Sequence, residues 1–176
     1  MSKPIPIPGP AGRFEQRLSI AAPPQKVFEC FFSADALPVW WKVVRSVTTP
    51  VPFGVYAVEW ATTAYRDELL GPLGGVFHGT VVDVRPGDQF LVADCWWVPP
   101  EGHPIGPMAL QITCRPEPGG CKLIVRQDGY DPSPRWRRYY VVVSHGWQIS
   151  LRALKRYAEE AALRRANLAM PRTPDH

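Results

Sequence analysis

One run near the C-terminal end, Ser133 to Ala161, limits what this chain can fold into more than any other stretch. Asp131-Pro132-Ser133-Pro134 reads as a helix start, because Ser133 can cap free backbone N–H groups and Pro134 gives up nothing at the first helical position. From there Trp136, Tyr140, Val143, Trp147, Leu151, Leu154 and Ala158 recur at helical spacing. Arg138, His145, Arg152, Arg156 and Glu159 fall on the opposite side. A helix of about 25 residues is about 37 Å long, and one so long and so one-sidedly aromatic needs a broad apolar surface to lie on. Past Ala158 the stripe fails, with Arg165 on the formerly apolar side and Leu163 on the formerly polar one. The helix is therefore expected to leave its support or to fray, making 161–176 a frayed or disordered tail.

The remainder of the chain reads as strands that can supply that surface. Arg13 to Ala21 alternates, placing Phe14, Gln16, Leu18 and Ile20 on one face. Pro23-Pro24 stops it and opens a short helix from Gln25 to Phe32, followed by a second helical turn near Pro38 to Trp41. Strands are then expected at Gly54 to Thr62, Gly75 to Val84, Gln89 to Val98, Met108 to Arg115 and Cys121 to Asp128, with turns at Arg85-Pro86-Gly87-Asp88 and Gly119-Gly120. There is no βαβ rhythm, so an antiparallel sheet curling around the long helix is expected: an α+β fold. Residues 1–12, proline alternating with small apolar residues, read as a flexible arm, and 13–160 as a single domain.

Composition narrows the function. The 176 residues carry a formal charge of +4, seven tryptophans and 21 prolines. The basic residues of the long helix lie away from its aromatic stripe, which argues against nucleic-acid binding. No signal peptide or membrane-spanning run is apparent, and a cytoplasmic location is expected. The four cysteines show no metal spacing; Cys114 and Cys121 flank a turn but are expected to be reduced and buried, like Cys30 and Cys95. Neither a metal nor a cofactor is expected. No nucleophile elbow, phosphate loop or dinucleotide fingerprint occurs.

The segment Ala22-Pro23-Pro24-Gln25-Lys26-Val27-Phe28-Glu29-Cys30-Phe31, followed by Leu37-Pro38-Val39-Trp40-Trp41, resembles the opening of the START-like (birch-pollen-allergen-like, SRPBCC) superfamily. Gly75 to Gly87 and Gly129 to Lys155, with Gly146-Trp147 and Leu151, are similar to its branch of heat-shock-protein ATPase activator homologues. The resemblance runs from Phe14 to Tyr157 and implies a helix-grip fold, a curved antiparallel sheet holding a C-terminal helix with an apolar cavity between them. It does not fix one function. The readings it opens are binding of a small hydrophobic, aromatic or lipid ligand, a polyketide cyclase/aromatase-like reaction, and chaperone interaction. The oligomeric state, a homodimer included, stays open.

Candidate ligand-contacting residues follow from the strand and helix phases. Counting in twos from a wet Asp83 turns His78 inward, as a ligand anchor, a general base or a core histidine. Asp94 shares a phase with Phe90, Val92 and Trp96; the other phase, Leu91, Ala93, Cys95 and Trp97, is equally open. Gln127 points inward and needs a partner, either a ligand or backbone near Gly129. Trp60, Trp96, Met108, Leu110, Tyr140, Val143 and Trp147 complete the expected lining. His103 and His145 read as solvated. Gly146, unfavourable inside a helix by about 1 kcal/mol against alanine, suggests close approach of the sheet or a ligand.

Overall fold

The computed structural model describes residues 13–129, 131 and 133–170. The arm expected at 1–12 and the end of the tail, 171–176, lie outside the described residues.

The chain opens with strand β1 (Arg13–Ile20). Its alternation is realised, with Phe14 and Ile20 buried. Helices α1 (Pro24–Glu29) and α2 (Leu37–Trp40) follow, each with proline in its first turn. Then come β2 (Arg45–Thr48), β3 (Val55–Trp60), the two-residue strands β4 (Arg66–Asp67) and β5 (Gly71–Pro72), β6 (Gly75–Arg85), β7 (Gln89–Val98), β8 (Ile105–Glu117) and β9 (Gly120–Asp128). The chain ends in helix α3 (Pro134–Ala169), and Ser133 Oγ accepts the Trp136 N–H as the capping argument requires. Seven strands make one open antiparallel sheet in the order β1-β9-β8-β7-β6-β3-β2, while β4 and β5 pair separately.

One face of the sheet carries α3. The buried residues of the helix, among them Trp136, Tyr140, Trp147, Leu151, Leu154 and Ala158, reproduce the stripe read from sequence. Past the stripe the helix leaves the sheet rather than fraying, continuing to Ala169 with residues 163–169 exposed. The α+β helix-grip arrangement is therefore present. Strand β2 was not anticipated; it is a short edge strand whose Val47 faces solvent, so no buried face marks it.

Two strands depart from simple alternation. The β6–β7 register shifts between His78 and Thr80 and again between Val81 and Asp83. Counting in twos back from Asp83 crosses the second irregularity, where the extra residue lies on β6 and reverses its faces; at the first the extra residue lies on β7 and leaves the β6 alternation intact. Phe77 and Val81 are accordingly buried, whereas His78 and Val82 are exposed. The inward placement expected for His78 is corrected: it sits on the outer face beside Ala57 and Trp96. In β7 the register with β8 shifts between Val92 and Cys95. Phe90 and Val92 are buried before the shift, Cys95 and Trp97 after it. Each of the two phases left open from sequence holds for half of the strand. Asp94, at φ 50°, is the pivot and is exposed.

The groove between sheet and helix is filled at one end. Rings of Phe28, Phe31, Phe32, Trp40, Tyr56 and Phe90 pack there with centroids 4.7 to 5.7 Å apart. The buried polar tips are satisfied: Tyr56 Oη donates to Phe31 O at 2.9 Å and Trp40 Nε1 to Cys30 O at 3.0 Å. All four cysteines are buried free thiols, and register sets Cys114 opposite Leu123 and Cys121 opposite Pro116.

Candidate functional site

A row of side chains crosses the inner face of the sheet: Phe14, Gln127, Leu110, Val92 and Val81 are register partners from strand to strand. Four are apolar, and Gln127, only 1% exposed, is the polar exception. A buried primary amide costs several kcal/mol unless it is hydrogen-bonded. Gln127 meets that demand from the helix above and the strand beside it. Its Oε1 accepts the Trp147 indole N–H at 3.0 Å, and its Nε2 donates to Tyr139 Oη at 3.0 Å and to Met108 Sδ at 3.3 Å. The amide is thus a knot joining β8, β9 and α3.

Beside the knot the groove is hollow. A cavity of about 300 Å³ lies between the sheet and α3, at the small end of the range for ligand pockets. Its walls are rings: Trp41 after α2, Trp60 on β3, Phe77 on β6, Trp97 on β7, and Tyr139 and Trp147 on α3. Val142, Val143, Gly146 and Ser150 complete the helix side. Trp41 makes the turn between filled and hollow ends. It stacks on Trp40 at 4.9 Å and 7°, and it approaches Trp147 at 4.8 Å and Trp60 at 5.2 Å.

The segment 61–74 closes one side, bringing Leu70, Leu73 and Gly74 against the cavity, with exposed Ala61, Thr63 and Gly146 at its mouth. Asp67 anchors this segment. Its buried carboxylate accepts the Leu69 and Leu70 N–H groups at 3.0 and 3.1 Å and Arg138 Nε at 2.7 Å. Burial pushes the Asp67 carboxyl up, but the Arg138 guanidinium and the two backbone donors outweigh it and hold the group below its ordinary value. Trp97 Nε1 donates to Gly74 O at 2.8 Å and Trp60 Nε1 to Trp41 O at 2.9 Å, so the rings lock the wall as well as line it. Gly74, at φ 111°, passes so close to Ala61 that a Cβ would stand 2.4 Å from its carbonyl oxygen.

Of the residues singled out from sequence, Trp60, Gln127, Val143 and Trp147 line the cavity. Met108 and Leu110 are buried on the inner face without lining it, and Tyr140 is buried with its hydroxyl unpaired among the described residues. His78, Asp94 and Trp96 lie together on the outer side, where the Trp96 indole donates to Asp94 Oδ1 at 2.9 Å. Trp41, Phe77, Tyr139 and the 61–74 wall were not expected, and Trp97 stood only as part of the alternative phase of β7. Tyr139 was legible as a flank of the helix stripe; the others depend on bulges and loop closure. A Cβ at Gly146 would meet nothing within 4 Å, so close approach of the sheet, one of the two readings of this glycine, is corrected.

Every lining residue is uncharged, without Asp, Glu, His, Lys or Arg. Burial pushes the Tyr139 phenol well above its ordinary value, partly offset by the Gln127 hydrogen bond, so it stays protonated. Among the described residues no group of three His, Cys, Asp or Glu could hold a metal ion, and no helix is long and apolar enough to cross a membrane. Such a site can enclose and orient a neutral molecule; it offers no carboxylate–histidine pair to move protons.

The profile of the family described as "Activator of Hsp90 ATPase homolog 1-like protein" matches residues 21–159. Comparison with curated proteins finds no match. Among solved structures, protein CV1439 of Chromobacterium violaceum is similar with 22% identity and a TM-score of 0.64, over 84% of this chain and 97% of that one. The Aha1 dimer of Colwellia psychrerythraea is similar at 15% identity and a TM-score of 0.54, over 84% and 96%. DynU16, a protein in the dynemicin biosynthetic locus, is similar at 18% identity and a TM-score of 0.61, over 87% of this chain and 49% of that one. At these identities the likenesses speak for the fold alone.

Proposed function

The chain belongs to the Activator of Hsp90 ATPase homolog 1-like family, and on that premise we propose that it binds a small, uncharged, largely aromatic ligand in the cavity between the sheet and α3. The observation that carries this reading is the lining: six aromatic rings, aliphatic side chains and no ionised group around about 300 Å³. Such walls favour apolar ligands by burial and penalise charged ones, which would lose hydration without gaining a partner. The volume suits a ligand smaller than a sterol.

A cyclase-like reaction is less favoured. Positioning alone can accelerate a cyclisation, but the residues put forward to move protons, His78 and Asp94, are exposed on the opposite side of the sheet.

Native mass spectrometry of the purified protein, under gentle and then denaturing conditions, tests the proposal. A retained neutral molecule released on denaturation is the expected result. The variant Val143→Phe, which projects a ring into the cavity, should lose the ligand while staying folded. No retained molecule, together with no thermal shift from a panel of neutral bicyclic aromatics, contradicts the proposal. The Colwellia relative is described as a dimer, and light scattering on the same preparation would read whether this chain pairs as well.

A further inference from the structure

The hydrogen bonds around Gln127 assign a proton, and that proton identifies the chemistry of the ligand. An indole N–H only donates. Trp147 Nε1 lies 3.0 Å from the Gln127 side-chain oxygen, so the amide must present its oxygen to Trp147 and its NH₂ to the other side. That NH₂ meets Tyr139 Oη at 3.0 Å and Met108 Sδ at 3.3 Å. Tyr139 therefore accepts from Gln127, and its own proton is not used in the knot. Among the described residues nothing accepts it. The hydroxyl group belongs to a ring that lines the cavity and packs on Trp97 with centroids 5.3 Å apart. The indole N–H groups and Thr63 at the cavity are already engaged: the indoles of Trp60, Trp97 and Trp147 donate to Trp41 O, Gly74 O and Gln127, and Thr63 Oγ1 donates to Tyr65 O. Both protons of Gln127 are spent as well. Gln127 thus sets the direction in which Tyr139 donates.

Building on the cavity-binding reading, we infer that the ligand carries a hydrogen-bond acceptor of the carbonyl class, and that Tyr139 Oη–H donates to it. The acceptor completes the hydrogen-bonded chain that runs through the knot to the cavity: Trp147 to Gln127 to Tyr139 to ligand. Because the phenol stays protonated and no cation faces the cavity, the acceptor is neutral, as in a ketone, amide or quinone, and a carboxylate is rejected.

A matched pair of probes tests this: 2-acetylnaphthalene and 2-ethylnaphthalene, titrated against the wild-type protein and Tyr139→Phe, with tryptophan fluorescence as the readout. Desolvation differs between the probes but cancels when each is compared across the two proteins, and so does any general loosening of the knot. A hydrogen bond of ordinary net strength predicts that the ketone loses about 3- to 10-fold in affinity in Tyr139→Phe, while the hydrocarbon holds. Should that variant not fold, the wild type decides the matter by infrared spectroscopy with a ¹³C-labelled ketone. The bound carbonyl band should lie below its position in an alkane solvent. The 2-naphthoate anion should bind at least about tenfold more weakly than the ketone. Equal losses for both probes, an unshifted carbonyl band or tight naphthoate binding overturns this inference and leaves the cavity reading standing. If neither neutral probe binds the wild type, the cavity reading falls and this inference with it.

Discussion

Replacing Gly146 by alanine should make the protein more stable, although glycines inside long helices commonly mark tight packing. Gly146 sits in the middle of α3 (Pro134–Ala169), is exposed, and borders the cavity. A Cβ built on it meets nothing within 4 Å outside its own helical turn. The steric term is therefore close to zero. What remains is helix propensity, where alanine is favoured over glycine by about 1 kcal/mol, mainly by restricting the unfolded chain. For a chain of this length that corresponds to roughly 2–4 °C in melting temperature. Gly79 in β6 provides the contrast. A Cβ there would stand 2.8 Å from Ala93 O, 2.8 Å from Val92 Cγ1 and 2.9 Å from Cys95 Sγ, two of these in the buried core. Gly79→Ala should therefore destabilise by about 1–3 kcal/mol. Thermal unfolding followed by circular dichroism reads both. A loss of stability in Gly146→Ala would refute the argument, because it would mean that something packs on this face of the helix.

Two further predictions concern the wall of the cavity and the outer face. Asp67→Ala strands the Leu69 and Leu70 N–H groups and unpairs Arg138, which is partly exposed and can rehydrate, so a cost of about 2 kcal/mol is expected. Because the folded Asp67 carboxyl titrates below its unfolded value, near 4, its contribution is complete above that pH and disappears as pH falls through the lowered value. Urea melts should accordingly show the wild type and Asp67→Ala converging in acid, and a gap that stays constant down to pH 2 would contradict this. His78→Ala should change stability by less than about 0.5 kcal/mol and leave ligand affinity untouched, since the imidazole faces solvent on the outer side of the sheet; a clear loss of binding would reverse that placement.

What the sequence made legible was periodicity wherever periodicity is unbroken. The stripe from Trp136 to Ala158 located the buried face of α3, and Ser133-Pro134 located its start, because capping and a 3.6-residue period are local properties. In β1, β8 and β9 the alternation survives and the inward residues follow, Gln127 among them. The candidate site was harder because it lies where the period breaks. A bulge adds one residue and reverses the faces beyond it, which carried His78 and Trp96 outward and Phe77 and Trp97 inward. Leu70, Leu73 and Trp41 reach the cavity through loop closure by Asp67 and Arg138 and through ring stacking, contacts between residues far apart in the chain with no short-range trace. The role of Gln127 needed four side chains from two strands and a helix to be placed together.

The central claim is that a neutral aromatic ligand occupies the hollow end of the groove. It is tested most directly by titrating 2-acetylnaphthalene into ¹⁵N-labelled protein and following the seven tryptophan indole N–H signals, each assigned by substitution with phenylalanine. Trp41, Trp60, Trp97 and Trp147 line the cavity, whereas Trp40, Trp96 and Trp136 do not. The account predicts that the first four signals move along a single saturating curve while Trp96, on the outer face, stays still. Movement centred on Trp96, or no movement at saturating probe, would contradict it.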